Sequence, residues 1–386
     1  MNLDADKDQD EAVAAALTGQ DRIITGGAGS GKTTLIKRIA KALEGNCEIM
    51  APTGKAAARL KEATGFPACT IHRALCYDGN EFHRGGDLGV CIIDEASMID
   101  SWLMQSVLKF NPKQLILVGD SAQLPPVGKG QPFHDLIKLR PDIVSVLKTC
   151  HRAKGAVHMA ALAIREGRNP EMRLDSGGET WTIMDTGEPK KTLATLLKWV
   201  EVGRYDATQD MILAPRYGSG QGGDECDGGI DGINAAIKAL VNPSIEKFST
   251  GDRVIINKNF SNDDLWNGDL GTITDVDTAG LPEIEVDRLK GERKFLNKDH
   301  VKEMKHAYAL SVHKAQGSQA RRVFFMCFSR HFFQLSRPLI YTAITRAKKD
   351  VVVCGEPTAF FRGIKQQSKR VTVMQVLAQE DQGGIW

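Results

Sequence analysis

The stretch Thr25–Thr34, TGGAGSGKTT, sets glycine, lysine and threonine in the spacing G-x-x-x-x-G-K-T between Gly26 and Thr33. Such a loop turns tightly with its N–H groups aimed inward, so unpaired donors at a helix start can hold a chain of phosphates. Gly27, Ala28, Gly29, Ser30 and Gly31 would form the cradle, with Thr34 behind it. Lys32 would reach the β- and γ-phosphates, and the Thr33 hydroxyl is placed for Mg²⁺. A second chemical feature is the acid pair Asp94-Glu95, which ends the apolar run Val90-Cys91-Ile92-Ile93. Two adjacent carboxylates at a buried strand end are costly unless a cation or a reaction needs them. Asp94 suits the water shell of Mg²⁺ and Glu95 suits the polarising of an attacking water. Gln123, after the run Gln114–Val118, could touch a γ-phosphate; Arg152 and Arg346 could each bring a guanidinium to it. Gln9 carries an amide able to bond both edges of a purine.

Several polar residues fall where a strand is expected to open into a helix. Cys47–Ala51 reads as a strand opening into Pro52-Thr53-Gly54-Lys55 and an alanine-rich helix, so a hydroxyl and helix-start N–H groups could grip a nucleic-acid phosphate. A plain helix cap is the other reading of Thr53. Thr70 and His72 repeat the pattern in Thr70-Ile71-His72-Arg73. Ser311, His313, Lys314 and Gly317 repeat it again after Ala307–Ser311, where the alternative is one helical turn closed by a glycine.

The elements that must position these groups follow from periodicity. Arg22–Ile24 and Leu35–Ala40 supply the strand and helix flanking the phosphate loop, and Val90–Ile93 and Gln114–Val118 read as central buried strands of a parallel sheet. Residues 1–150 form the first α/β domain, with polar, glycine-rich 77–89 as a short protruding hairpin. A second α/β pattern occupies 151–245 and 306–386: a helix Ala156–Arg165, a loop Glu166–Gly178, a helix Lys191–Val202, a strand Met211–Ala214 and a helix Gly232–Val241. Between its halves, 246–305 changes to short alternating runs separated by turns at Asn267-Gly268-Asp269 and Lys290-Gly291-Glu292. That texture predicts a small antiparallel barrel, with Asn259 and Phe260 able to meet nucleic acid.

Composition narrows the class. At 386 residues the chain exceeds what one core sustains, and 42% hydrophobic with 25% charged residues is ordinary for a soluble protein. A net charge of +2 requires any polyanion site to be a local groove. Eight scattered cysteines without a C-x-x-C pair fit reduced thiols in the cytoplasm. The acidic N-terminus lacks the apolar segment of a secretory signal, and no run approaches the ~20 apolar residues of a membrane span.

In order and spacing, GGAGSGKTT, APTGKAAARL, TIHRAL, IIDEASMID, GDSAQLPPVGKG, YALSVHKAQGSQ and YTAITRA resemble superfamily 1 helicases of the B branch, typified by RecD and the phage helicase Dda. The resemblance runs from Gln9 to Cys354. It implies an α/β fold of two RecA-like P-loop domains with parallel sheets, an inserted SH3-like β-barrel and a β-hairpin pin, here unusually short. It further implies ATP and Mg²⁺ as cofactors, 5′→3′ movement on single-stranded DNA, and action at single-strand/duplex junctions. Lys32, Thr33, Asp94 and Glu95 match the hydrolytic set, Gln123 the γ-phosphate sensor, Gln9 the adenine reader, and Arg152 and Arg346 the two arginines that complete the site. Thr53, Thr70, His72, Ser311 and His313 fall in motifs that touch the strand. A monomer that works beside single-strand-binding, replication or recombination proteins is expected, with a strand-bound translocase that strips proteins as the alternative.

Overall fold

The computed structural model describes residues 3–149, 155–215, 218, 228–260, 263–289, 291–367 and 372. These fall into two compact units, one built from 3–149 with Thr372 and the other from 155–367.

The first unit is a six-stranded sheet of β1 (Arg22–Gly26), β2 (Glu48–Ala51), β3 (Ala68–Thr70), β4 (Val90–Ile93), β5 (Gln114–Gly119) and β6 (Val144–Leu147), in the order β3-β2-β4-β5-β1-β6. Every pairing is parallel. Neighbouring side chains go to opposite faces: Ile23, Ile93 and Leu117 join one core, while Ile24, Ile92 and Ile116 join the other with Leu35, Ile36 and Ile39 of the helix Lys32–Ala42. Burial on both faces is what makes β4 and β5 unbroken apolar runs. The stretch 77–89 contains one isolated antiparallel bridge, Tyr77 to Phe82, and no strand ladder. Thr372 groups with this unit and donates its hydroxyl to buried Asp135 at 2.7 Å.

The second unit carries β7 (Arg173–Ser176), β8 (Glu179–Asp185), β9 (Asp210–Ala214), β15 (Ala309–Ser311), β16 (Ala320–Cys327) and β17 (Ala347–Gly355), ordered β15-β9-β16-β17-β8-β7. All pairs are parallel except the hairpin β7–β8. Its turn is Gly177-Gly178, both at positive φ, and it lies partly inside the segment 166–178 expected as loop. Between β9 and β15, a separate antiparallel sheet is formed by β10 (Arg253–Ile256), β11 (Leu270–Val276), β12 (Pro282–Val286), β13 (Arg293–Phe295) and β14 (Met304–His306) in the order β13-β12-β11-β10-β14. It has its own core of Phe248, Val254, Ile256, Leu265, Ile273, Ile284 and Val286. Where it meets the α/β sheet, fully buried Asp252 accepts from Lys238 Nζ at 2.7 Å, Asn242 at 2.9 Å, the Ser249 N–H at 2.8 Å and the Tyr308 hydroxyl at 2.9 Å.

Candidate nucleotide and strand sites

A parallel sheet brings the carboxyl ends of its strands to one edge, and the register here aligns Thr25 with Gly119, Met50 with Ile93, and Ala51 with Thr70. The phosphate loop after β1, the acid pair after β4, the Gly119–Gln123 turn after β5, and Thr53 and Thr70 therefore share one edge of the first unit.

Gly29 and Gly31 adopt φ of +83° and +82°, the left-handed region that a side chain resists. Gly26 has no room for a side chain, since a Cβ there would lie 2.5 Å from Ser30 Oγ and 2.9 Å from Leu147 Cβ. Lys32 Nζ donates to the carbonyls of Gly26 and Gly27 at 2.8 and 3.0 Å, so its charge is folded over the loop. The buried Ser30 Oγ has no hydrogen-bond partner among the described residues. Gln9 is buried and its amide donates to Ser30 O at 3.3 Å, which brings the expected purine reader onto the same loop. Thr33 is half-buried at the start of the helix and Thr34 is exposed.

Asp94 and Glu95 are half-buried, and Glu95 sits at φ 51°, ψ 37°, a left-handed conformation rare for a non-glycine residue. Burial pushes the Asp94 carboxyl up to about 6, and the Glu95 charge adds to the rise; the Glu95 N–H and the charges of Lys32 and Arg59 pull the other way. Arg59 is an exposed residue of the helix Gly54–Thr64, one turn after Lys55, and was not anticipated; that i, i+4 spacing from Lys55 was its only signal. Among the described residues no three His, Cys, Asp or Glu side chains cluster to hold a metal. A divalent ion would draw on Thr33, Asp94 and the nucleotide's own oxygens, and the hard-oxygen chemistry of that set fits Mg²⁺. Unfilled Ser30 and the glycine cradle fit a phosphate chain in the same way. Gln123 is buried, with Nε2 3.4 Å from Asp120 Oδ2, and its turn is tied to β1 through Thr25 and Ser121, whose hydroxyls are 3.2 Å apart.

Thr53 and Thr70 cap their helices, accepting the N–H groups of Ala56 and Arg73 at 3.2 Å each. A hydroxyl that accepts still has its own proton to donate, so capping and phosphate binding are compatible. Pro52, Gly54 and Lys55 are half-buried beside Thr53. His72 is half-buried, and burial lowers its pKa against the opposing charge of Asp100.

In the second unit Ser311 ends β15, and its Oγ accepts the Lys314 N–H at 3.2 Å. His313 is held below the usual histidine range by burial, and Lys314 below the usual lysine range by burial and then by Lys305. Lys314 Nζ donates to Asn267 Oδ1 at 2.6 Å, and the Asn267 N–H donates to Asn259 Oδ1 at 2.9 Å. The structure thus brings Asn259 and Lys314 together through Asn267, a turn residue that drew no functional reading from sequence. Phe260 is packed edge-on against His300, with centroids 4.4 Å apart, and contributes to the small core. Gly317 is at φ +71°, and the neighbouring Gln316 Nε2 is buried with no partner among the described residues. Arg346 follows the helix Arg337–Ile344 by two residues and is buried; it donates to Thr342 O at 3.0 Å, Thr345 Oγ1 at 3.3 Å and Ser318 O at 3.4 Å. Arg152 lies outside the described residues.

A glycine cradle, a strand-end acid pair and a sensor turn on one edge of a parallel sheet define a P-loop nucleotide-binding protein. Residues 4–180 match the AAA domain family and residues 306–354 match the UvrD-like helicase C-terminal domain. The ATP-dependent RecD2 DNA helicase of Deinococcus radiodurans is 32% identical over 375 residues, covering 91% of this chain and 49% of that protein. The RecBCD enzyme subunit RecD of Mycolicibacterium smegmatis is 29% identical over 422 residues, covering 95% of this chain and 74% of that one. A crystal structure of Pif1 helicase from Bacteroides in complex with ADP-AlF3 and single-stranded DNA shares the fold, with a TM-score of 0.59, 17% identity and 97% of each chain covered. By these matches the chain is similar to RecD-like helicases of superfamily 1B. It spans about half the length of the Deinococcus relative.

Proposed function

We propose that this chain is an ATP-dependent DNA helicase that moves 5′→3′ along single-stranded DNA and opens duplexes at single-strand junctions. The observation that carries the reading is the meeting of Lys32, Asp94, Glu95, Gln123, Thr53 and Thr70 at one sheet edge, which sets nucleotide chemistry beside strand contacts in a single body. ATP is the nucleotide and Mg²⁺ its counter-ion, held by Thr33 and Asp94. When bound, the ion supplies charge neutralisation for the transferred phosphate. Glu95 orients and polarises the attacking water, Lys32 and Gln123 hold the γ-phosphate, and Arg152 and Arg346 complete the stabilisation of transition-state charge. Ser311, His313, Lys314, Asn259 and Phe260 contribute strand contacts from the second unit, to which we add Asn267 and Gln316.

The antiparallel sheet of 253–306 is proposed as an SH3-like barrel, and 77–89 as the pin. That stretch holds one isolated bridge, which favours a second reading: a translocase that displaces bound proteins without efficient unwinding. The protein is proposed to act as a cytoplasmic monomer beside single-strand-binding or recombination proteins. ATP hydrolysis with and without single-stranded DNA, run beside unwinding of 5′- and 3′-tailed duplexes, tests the whole reading. Strand-stimulated turnover with unwinding from the 5′ tail alone supports the helicase. Stimulation without unwinding supports the translocase, and no stimulation by any strand rejects both.

A further inference from the structure

Four aromatic rings from three stretches of the first unit meet, the first of them two residues after Thr70 in the chain. They are His72, Tyr77 and Phe82 on either side of the isolated bridge, and Trp102 from the helix Ser101–Leu108. Centroids lie 4.8 Å apart for Tyr77–Phe82, 5.2 Å for Phe82–Trp102, 5.9 Å for Tyr77–Trp102 and 6.1 Å for His72–Trp102. Every pair is tilted or edge-on, so none of these contacts covers a face of Trp102 by parallel stacking. Trp102 is 48% exposed, whereas Phe82 is half-buried and packs against the core. An indole fixed on a rigid helix and backed by other rings is costly to leave in water, and it is pre-organised to receive a flat partner.

The helix is held in place by the loop that follows Gln123. Ser101 N–H donates to Lys129 O at 2.9 Å and Asp100 caps the Leu103 N–H at 2.9 Å. Gly128 and Gly130 are needed for this approach: a Cβ on them would fall 1.9 Å from Asp100 Oδ2 and 1.8 Å from Ser101 Oγ. The start of the Trp102 helix is therefore fixed to the loop that follows Gln123, and His72, whose ring meets Trp102, lies between the Thr70 cap and the exposed Arg73 in the chain.

We propose that Trp102, backed by Tyr77 and Phe82, is the stacking platform for one nucleobase of a bound single strand. The inference rests on the strand-binding reading above. Stacking fits here because every base has a π-face, while the backbone of the same nucleotide finds a hydroxyl and a guanidinium alongside, at Thr70 and Arg73.

The test uses the full chain, labelled oligo-dT, and the same oligonucleotide with one abasic site stepped along it. On the wild-type protein one abasic position should weaken binding by about 5- to 150-fold. Trp102→Leu, which keeps apolar bulk against the neighbouring rings, should lose a similar factor on intact oligo-dT, and Trp102→Phe should lose little. At the sensitive abasic position Trp102→Leu should cost nothing further, because the partner base is already gone. The proposal is overturned if no abasic position matters, or if Trp102→Leu costs the same factor on every oligonucleotide, which would make the rings a brace for 77–89. The abasic scan needs no variant, so misfolding cannot mask the result. A wild-type protein that binds no strand would defeat the function reading instead.

Discussion

At the scale of single residues, the proposed chemistry falls on side chains whose backbone or surroundings are unusual. Glu95 is held in a left-handed conformation at the end of a buried strand, and such strain persists only where the surrounding structure fixes it. Replacing it by glutamine keeps the shape and removes the base. We expect Glu95→Gln to lower ATP turnover by about 10²- to 10⁴-fold while a fluorescent nucleotide still binds in titration; normal turnover would remove Glu95 from the reaction. Lys32 differs because its ammonium already bridges two loop carbonyls and must exchange them for phosphate oxygens. Loss of charge-assisted bonds makes Lys32→Ala a binding variant, weaker for nucleotide by about 10- to 100-fold, and unchanged affinity would count against it. Arg346 is buried on two carbonyls and a hydroxyl, so truncation also leaves acceptors unpaired. Arg346→Ala should cut turnover by about 10³- to 10⁵-fold, with nucleotide binding retained as the control that separates lost catalysis from lost fold. The proposed hydrolytic residues stand out in the sequence because the spacing of a phosphate loop is set by backbone chemistry. Asn267 and Arg59 do not, since the bond from Lys314 to Asn267 and the nearness of Arg59 to the Asp94 carboxyl exist only in the folded chain.

At the scale of elements, runs buried on both faces were easy to read and paired edges were not. β4 and β5 are continuous apolar stretches and lie where the sequence implies. The hairpin β7–β8 is different: Trp181 and Ile183 point inward between exposed or half-buried neighbours, an alternation that a glycine-rich surround concealed. β14 was missed for another reason, because Met304–His306 is a strand only by pairing with β10. That junction is where the second unit's two sheets are joined by Asp252. Burial alone would raise the Asp252 carboxyl, but bonds from His306, Lys238, the Ser249 N–H and Asn242 outweigh it and hold the group well below its ordinary 3.8. A depressed carboxylate contributes stability above the unfolded value and loses it as pH falls toward the folded one. Denaturant unfolding followed from pH 7 to pH 3 should therefore show stability declining below about pH 4. Asp252→Asn should cost about 3–5 kcal/mol at neutral pH, by leaving Lys238 buried without its anion, and should flatten that acid decline. A variant as stable as wild type at pH 7 would mean that the network is dispensable.

At the scale of the whole molecule, the charge balance limits how a strand can be held. With a net charge of only +2, attraction to a polyanion must come from a few placed cations. Among the described residues the proposed ones are Lys55, beside the Thr53 cap, Arg73, after the Thr70 cap, and Lys314, whose ammonium is shared with Asn267. Binding a single strand releases counter-ions in proportion to the phosphates neutralised, with log affinity falling by about 0.7 per phosphate for each unit of log salt. Two or three contacts thus predict a shallow slope of about −1.4 to −2.1 for oligo-dT, far from that of a broadly basic protein. Lys314→Ala should reduce the slope by about 0.7 and weaken binding to all sequences alike, because a phosphate contact carries no base information. Titrations of wild type and variant at four or five salt concentrations measure this directly. An unchanged slope would mean that Lys314 serves only to tie the antiparallel sheet to the turn after β15, and the cation on the strand would have to be sought elsewhere in the second unit.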